Sequence, residues 1–192
     1  MLSRDETQWL DLVKFKPYAF GLESGFEDLK DIHNEWIKSF LFEEDQTLQA
    51  HRGSYITTCL SIAMALIVVL LPKLNTIFLR KTVDDVKEVI TQTAKLLKAP
   101  IYQELSKTVY GAPIILTKET AFEIDTNLKS TSRGTSQLLG IGSRASITGK
   151  HGDTIITDDV INLTDRISKA SKTLGADSLI PTRLGIGMML SR

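Results

Sequence analysis

From Phe26 to Phe42 apolar side chains return every three or four residues, with Leu29, Ile32, Trp36, Ile37, Phe40 and Leu41 on one face. That period predicts an amphipathic helix. Thr57 to Leu71 is apolar nearly all round, the mark of a helix covered on every side, and Pro72 ends it. Val83 to Lys98 carries Val86, Val89, Ile90, Thr93, Leu96 and Leu97 along one face. Asp84, Asp85 and Glu88 lie in its first turns and Lys95 and Lys98 in its last, as a helix dipole favours.

Between these helices lie shorter runs. Gln46 to Ala50 predicts a short strand ahead of a polar turn, His51-Arg52-Gly53-Ser54-Tyr55. Ile77, Phe78 and Leu79 within Asn75 to Arg80 suit a buried parallel strand. Pro113–Thr117 and Ala121–Asp125 are β-like, and Gln137–Thr148 predicts a strand with a bulge or tight turn at Gly140 and Gly142. Asp153 to Asp159 predicts an apolar strand closed by two carboxylates. Strands alternating with helices point to an α/β fold with a mostly parallel central sheet flanked by helices.

The chain has 192 residues, 42% hydrophobic and 24% charged, which is the composition of one globular domain. Cys59 is its only cysteine, which excludes an internal disulfide and a thiolate metal cluster. Net charge is zero, but it is unevenly spread. Residues 1–49 hold 5 basic and 11 acidic side chains, 50–165 hold 13 and 11, and 166–192 hold 5 and 1. The acidic N-terminal segment is therefore a poor DNA contact, and a polyanion would meet the rest of the chain. No apolar leader is visible, and the thirteen residues from Cys59 to Leu71 span only about 20 Å as a helix, too short for a bilayer.

Two pieces carry candidate chemistry. A polar loop running into a helix with Thr57 and Thr58 at its start offers backbone N–H groups for phosphate and a hydroxyl for Mg²⁺. About a hundred residues later, Asp158 and Asp159 end a strand, where open α/β sheets bind ligands. One carboxylate there can hold Mg²⁺ and the other orient a water, which together describe a nucleoside triphosphate site. The bland readings are a Thr-Thr helix cap and a solvated strand end. The pattern G-x-x-x-x-G-K-[ST] is not met: Ile56 stands at the lysine position, and Ala50 and Tyr55 at the glycines.

Residues Ala50 to Leu60 resemble the degenerate Walker A region of the large terminase subunits of tailed bacteriophages, with Arg52 four residues before the lysine position. Ile77-Phe78-Leu79-Arg80-Lys81-Thr82 resembles that family's second strand, and Ile147 to Asp159 its Walker B approach. The resemblance covers roughly residues 28–170. It implies a P-loop NTPase of the additional-strand class, with ATP and Mg²⁺ as ligands. His51, Arg52, Gly53, Ser54, Tyr55, Ile56, Thr57 and Thr58 would wrap the phosphates. Thr57 and Asp158 would hold Mg²⁺. Asp159 would be the catalytic carboxylate and Arg52 a charge-stabilising arginine, or else a surface or DNA-facing cation.

By the same resemblance the partners are double-stranded DNA, a portal protein and a small terminase subunit, in a homo-oligomeric ring in the cytoplasm of an infected bacterial host, with no membrane. The expected organisation is an acidic helical segment over 1–49, an incomplete ATPase core over 50–170 and an atypical tail over 171–192. The function so implied is ATP-driven translocation of viral DNA, with the chain truncated before a nuclease domain. Ile56 cannot supply the positive charge that meets the β- and γ-phosphates, so a degenerate, non-catalytic interaction or decoy module is the alternative. Lys150 or Lys81 are candidates to replace that charge from elsewhere.

His33, His51 and His151 have no metal-ligand spacing. Trp9 and Trp36 read as packing residues ahead of an adenine platform, Gly140-Ile141-Gly142 as an isolated pair of glycines without a dinucleotide site, and Arg133 and Arg144 as solvated cations ahead of DNA-facing ones.

Overall fold

The structure, a computed structural model, describes residues 4–43, 47–51, 53–131, 134–142 and 149–159. Three helices open the chain: α1 (Glu6–Phe15), α2 (Ala19–Leu22) and α3 (Asp31–Phe42). Asp5 and Gln8 cap α1 reciprocally, each side chain bonded to the other's backbone N–H. Helix α3 starts at Asp31, later than its apolar spacing alone predicts.

Helix α4 (Ile56–Leu70) is the centre of the molecule, and every residue from Cys59 to Val69 is buried. It packs against α3 and against α5 (Val83–Leu97), with α2 and α6 (Pro100–Tyr110) also touching it. A helix apolar on all sides is stable only with such neighbours. Each large apolar side chain it buries contributes about 1.5–3 kcal/mol. Helix α6 has Pro100 at its first position and Gly111, at φ 70°, just past its end. The amphipathic pattern of Ile101, Tyr102 and Leu105 faces the core.

The sheet has five strands: β1 (Thr76–Arg80), β2 (Leu116–Glu119), β3 (Glu123–Thr126), β4 (Leu138–Gly142) and β5 (Thr154–Asp158), in the order β2-β3-β4-β1-β5. It is mixed rather than mostly parallel. Strands β4, β1 and β5 run parallel, whereas β2 and β3 form a hairpin that joins β4 antiparallel. The short loop from Thr120 to Phe122 is the reason: it is long enough only to reverse the chain, and a parallel crossover needs a dozen residues or more. The predicted strand at Gln46–Ala50 does not form over its described part, 47–50, where the chain is irregular and mostly exposed. An extended segment becomes a strand only when a neighbouring backbone pairs with it.

Alternate residues of the strands face opposite ways. Phe78, Leu138, Ile124 and Ile156 join the core cluster with α4 and α5, while Ile77, Leu79, Leu139 and Ile141 form a second cluster on the other face. Gly140 lies under α5, where an added Cβ would sit 2.4 Å from Val86 Cγ1 and 2.8 Å from Ile90 Cγ1. The glycine pair therefore serves close helix-on-sheet packing, with no dinucleotide role needed to explain it. Among the described residues no helix is long and apolar enough to cross a membrane. The expected tail at 171–192 and the core boundary at 170 lie outside the described residues.

Candidate functional site

Strand parity decides which side chains meet. Even-numbered residues of β1 and β5 face α4 and α5, and the two strands pair in parallel with Arg80 opposite Asp158. Both side chains therefore emerge at the carboxyl ends of the strands on the face where α4 begins. Thr57, in the first turn of α4, donates from Oγ1 to Asp158 Oδ2 at 3.3 Å. Arg80 Nε lies 3.5 Å from the same Oδ2. This is a charge contact without hydrogen-bond geometry, and the buried Nε has no hydrogen-bond partner among the described residues. The Asp158 and Arg80 side chains are 13% and 17% exposed.

Burial raises the Asp158 carboxyl above the usual carboxylate range; Arg80 and the Thr57 hydroxyl oppose that rise, and the neighbouring Asp159 and Asp85 add to it. Asp159 is exposed and sits at φ 44°, a left-handed conformation that non-glycine residues seldom adopt.

The loop ahead of α4 is turned by Gly53 at φ 78° and Tyr55 at φ 59°. Tyr55 is the N-cap yet its side chain caps nothing; its hydroxyl donates instead to Asp28 Oδ2 at 2.9 Å. By contrast Asp5 caps α1, and Thr82 caps α5 by accepting from the Asp85 N–H. The first turn of α4 also lacks acidic residues. Its N-terminus keeps positive potential, and its N-cap side chain satisfies none of the first-turn donors. Ser54 is 6% exposed and its Oγ has no partner among the described residues. An orphaned buried hydroxyl in a loop before an uncapped helix fits an anionic ligand.

Beside this loop opens a cavity of about 530 Å³, lined by residues that include Asp28, His33, Trp36, His51, Ser54 and Tyr55. His33 meets Trp36 and Tyr55 edge-on, at ring separations of 5.3 and 5.9 Å. Trp36 is thus a cavity wall as well as a packing residue, whereas Trp9 is buried against Phe20.

The residues present also fit Mg²⁺. Thr57 Oγ1 and Asp158 Oδ2, 3.3 Å apart, are the hard oxygen donors that would hold it. Among the described residues no three His, Cys, Asp or Glu side chains gather as a metal cage. A magnesium here would take its remaining ligands from water and phosphate, its usual manner of binding.

Of the residues singled out from sequence, Thr57 and Asp158 are in contact, with Asp159 next to them, and His51, Gly53, Ser54 and Tyr55 form the loop above. Ile56 and Thr58 are half-buried at the helix start, and Ile56 packs against the core. Arg52, Arg133 and Arg144 lie outside the described residues. The Glu123 carboxyl, at the start of β3, is lowered mainly by its hydrogen bond with Lys118, and Lys150 adds a smaller lowering. The sequence reading missed Arg80. The rule that ligands gather at strand carboxyl ends, applied to the first parallel strand as well as the last, would have found it. No family model matches the chain, and no curated protein does.

Proposed function

We propose that this chain is a P-loop-type ATPase domain that binds Mg-ATP between the 51–58 loop and Asp158, and that it belongs to a phage DNA-packaging motor of the large-terminase kind. The observation that carries this reading is the Thr57–Asp158 hydrogen bond at 3.3 Å, made across 101 residues of sequence between the first turn of α4 and the carboxyl end of β5. It is supported by the orphaned Ser54 hydroxyl and the uncapped α4. The cavity shares Ser54 and the loop with this site, but its lining includes neither Thr57 nor Asp158.

In this reading the loop N–H groups and Ser54 hold phosphate oxygens, and Thr57 and Asp158 hold Mg²⁺, which neutralises charge on the β- and γ-phosphates. Asp159 orients the attacking water, and Arg52 acts on the triphosphate. Double-stranded DNA, a portal protein, a small terminase subunit and a homo-oligomeric ring in the host cytoplasm follow from the resemblance of residues 50–60 and 147–159 to the large terminases.

A second reading is favoured by Ile56. Its side chain packs into the core where a lysine would reach for phosphate, as expected of a P-loop fold kept as a non-catalytic interaction module. Thermal melting with and without Mg-ATP separates the two. A ligand at 100 Kd that binds only the folded state adds about 2.7 kcal/mol. The ATPase reading expects that shift, and expects Ile56→Lys to raise turnover. Melting curves that coincide at millimolar Mg-ATP, in the wild type and in Ile56→Lys, would leave the interaction module as the reading.

A further inference from the structure

The loop's missing cation has a structural counterpart. Ile56 leaves no positive side chain directly ahead of Thr57. Arg80 reaches the same corner from below. It stands opposite Asp158 in the parallel ladder, its Nε is 3.5 Å from the oxygen that Thr57 also contacts, and that Nε is buried without a hydrogen-bond partner among the described residues. A guanidinium carries five donors in a planar fork suited to phosphate, and here its Nε donor is buried beside Asp158 without a hydrogen bond among the described residues. Any phosphate oxygen sharing a cation with Thr57 and Asp158 would lie beside it.

We propose that Arg80 is the phosphate-binding cation of this site, taking the charge role that Ile56 removes from the loop. Without nucleotide its guanidinium rests on Asp158. With a metal-bound triphosphate present, the cation takes over Asp158 and Arg80 turns its donors to the terminal phosphates. The position at the end of β1 supports this, because the strand fixes the start of the side chain while the loop above needs no change. The inference rests on the nucleotide reading given above, and it adds a residue that the Walker pattern does not contain.

The test measures affinity for inorganic tripolyphosphate and for Mg-ATP by titration calorimetry, with melting of each unliganded variant as the folding control. Arg80→Gln is expected to weaken both ligands by about 10- to 100-fold, the effect of losing a charge-assisted contact. The double variant Ile56→Lys/Arg80→Gln is expected to recover most of that loss, because a lysine in the loop restores the charge from the other side. The gain from Ile56→Lys is expected to be larger in the Arg80→Gln background than with Arg80 in place, whereas equal gains in the two backgrounds mark Arg80 as a structural partner of Asp158 and overturn its role.

If Arg80→Gln does not fold, Arg80→Lys carries the test: it is expected to lose affinity several-fold for want of the fork, and Ile56→Lys is expected to restore it. Affinities equal to or tighter than wild type in the Arg80 variants overturn the role of Arg80 while the nucleotide site stands. Absence of binding by the wild-type protein to either probe overturns both.

Discussion

Asp158 closes β5 in the parallel part of the sheet, and Glu123 opens β3 in the antiparallel part. Each carboxylate has a cation beside it, yet they titrate in opposite directions. Lys118 holds Glu123 at 2.6 Å, and that hydrogen bond lowers its pKa with help from Ser136. Asp158 is more deeply buried, its arginine is farther away, and desolvation wins. The difference separates two uses of charge. The hairpin carries satisfied ion pairs near water, Lys118–Glu123 and Lys98–Glu119, each worth little in stability but costing little. The parallel strands carry a cluster that costs the folded state something and has spare capacity for a ligand.

The sharpest break between the two carboxylates is in ligand binding. Asp158→Ala should abolish stabilisation by Mg-ATP, a loss of about 2.7 kcal/mol at 100 Kd, or roughly 5–10 °C in Tm for a chain of this size. Glu123→Gln should leave that shift intact. Equal behaviour of the two variants in a melting scan would erase the distinction.

Packing separates the two regions next. Gly140→Ala forces a methyl onto Val86 and Ile90 in the interior and should destabilise by about 1–3 kcal/mol. Gly134→Ala, with nothing within 4 Å of the added carbon and no positive φ, should stay within about 0.5 kcal/mol of wild type. Urea unfolding of both variants measures the contrast.

The smallest effect is the slope of stability against pH. The Asp158 pKa is raised in the folded state, so its contribution is fully present below the ordinary carboxylate value of about 4 and is lost as pH rises through the folded value. The Glu123 pKa is lowered, so its contribution is present above the ordinary value of about 4.3 and is lost as pH falls through the folded value. Asp158→Asn should therefore gain on wild type as pH rises from 4 toward neutrality, on top of a constant offset from the unpaired Arg80. Glu123→Gln should lose ground as pH rises toward about 4.3 from below and change little above it. Melting at matched ionic strength checks both signs.

Much of the fold was legible along the chain. The all-round apolar character of Cys59 to Val69 could mean only a helix enclosed on every side, and α4 is one. The period of α5, the strand at Ile77–Leu79 and the strand running into Asp158 were equally plain, because each reads from spacing a few residues long. Helix α6 is marked in the sequence by Pro100 and Gly111, its start and stop residues. The strand at Gln46–Ala50 was not decidable locally, since a strand exists only with a partner.

The pairing of Thr57 with Asp158 was an inference from order along the chain; its 3.3 Å distance is a property of the folded sheet. Arg80 was invisible as a site residue for the same reason. Sequence by itself determined the elements, the buried helix and the chemistry at each strand end, because periodicity and residue type act over single turns and strands. Tertiary structure alone decided that the sheet is mixed, that Gly140 is a packing contact, and that Arg80 and Thr57 share one oxygen of Asp158. Those depend on strand register and helix docking, which are set by contacts between residues tens of positions apart.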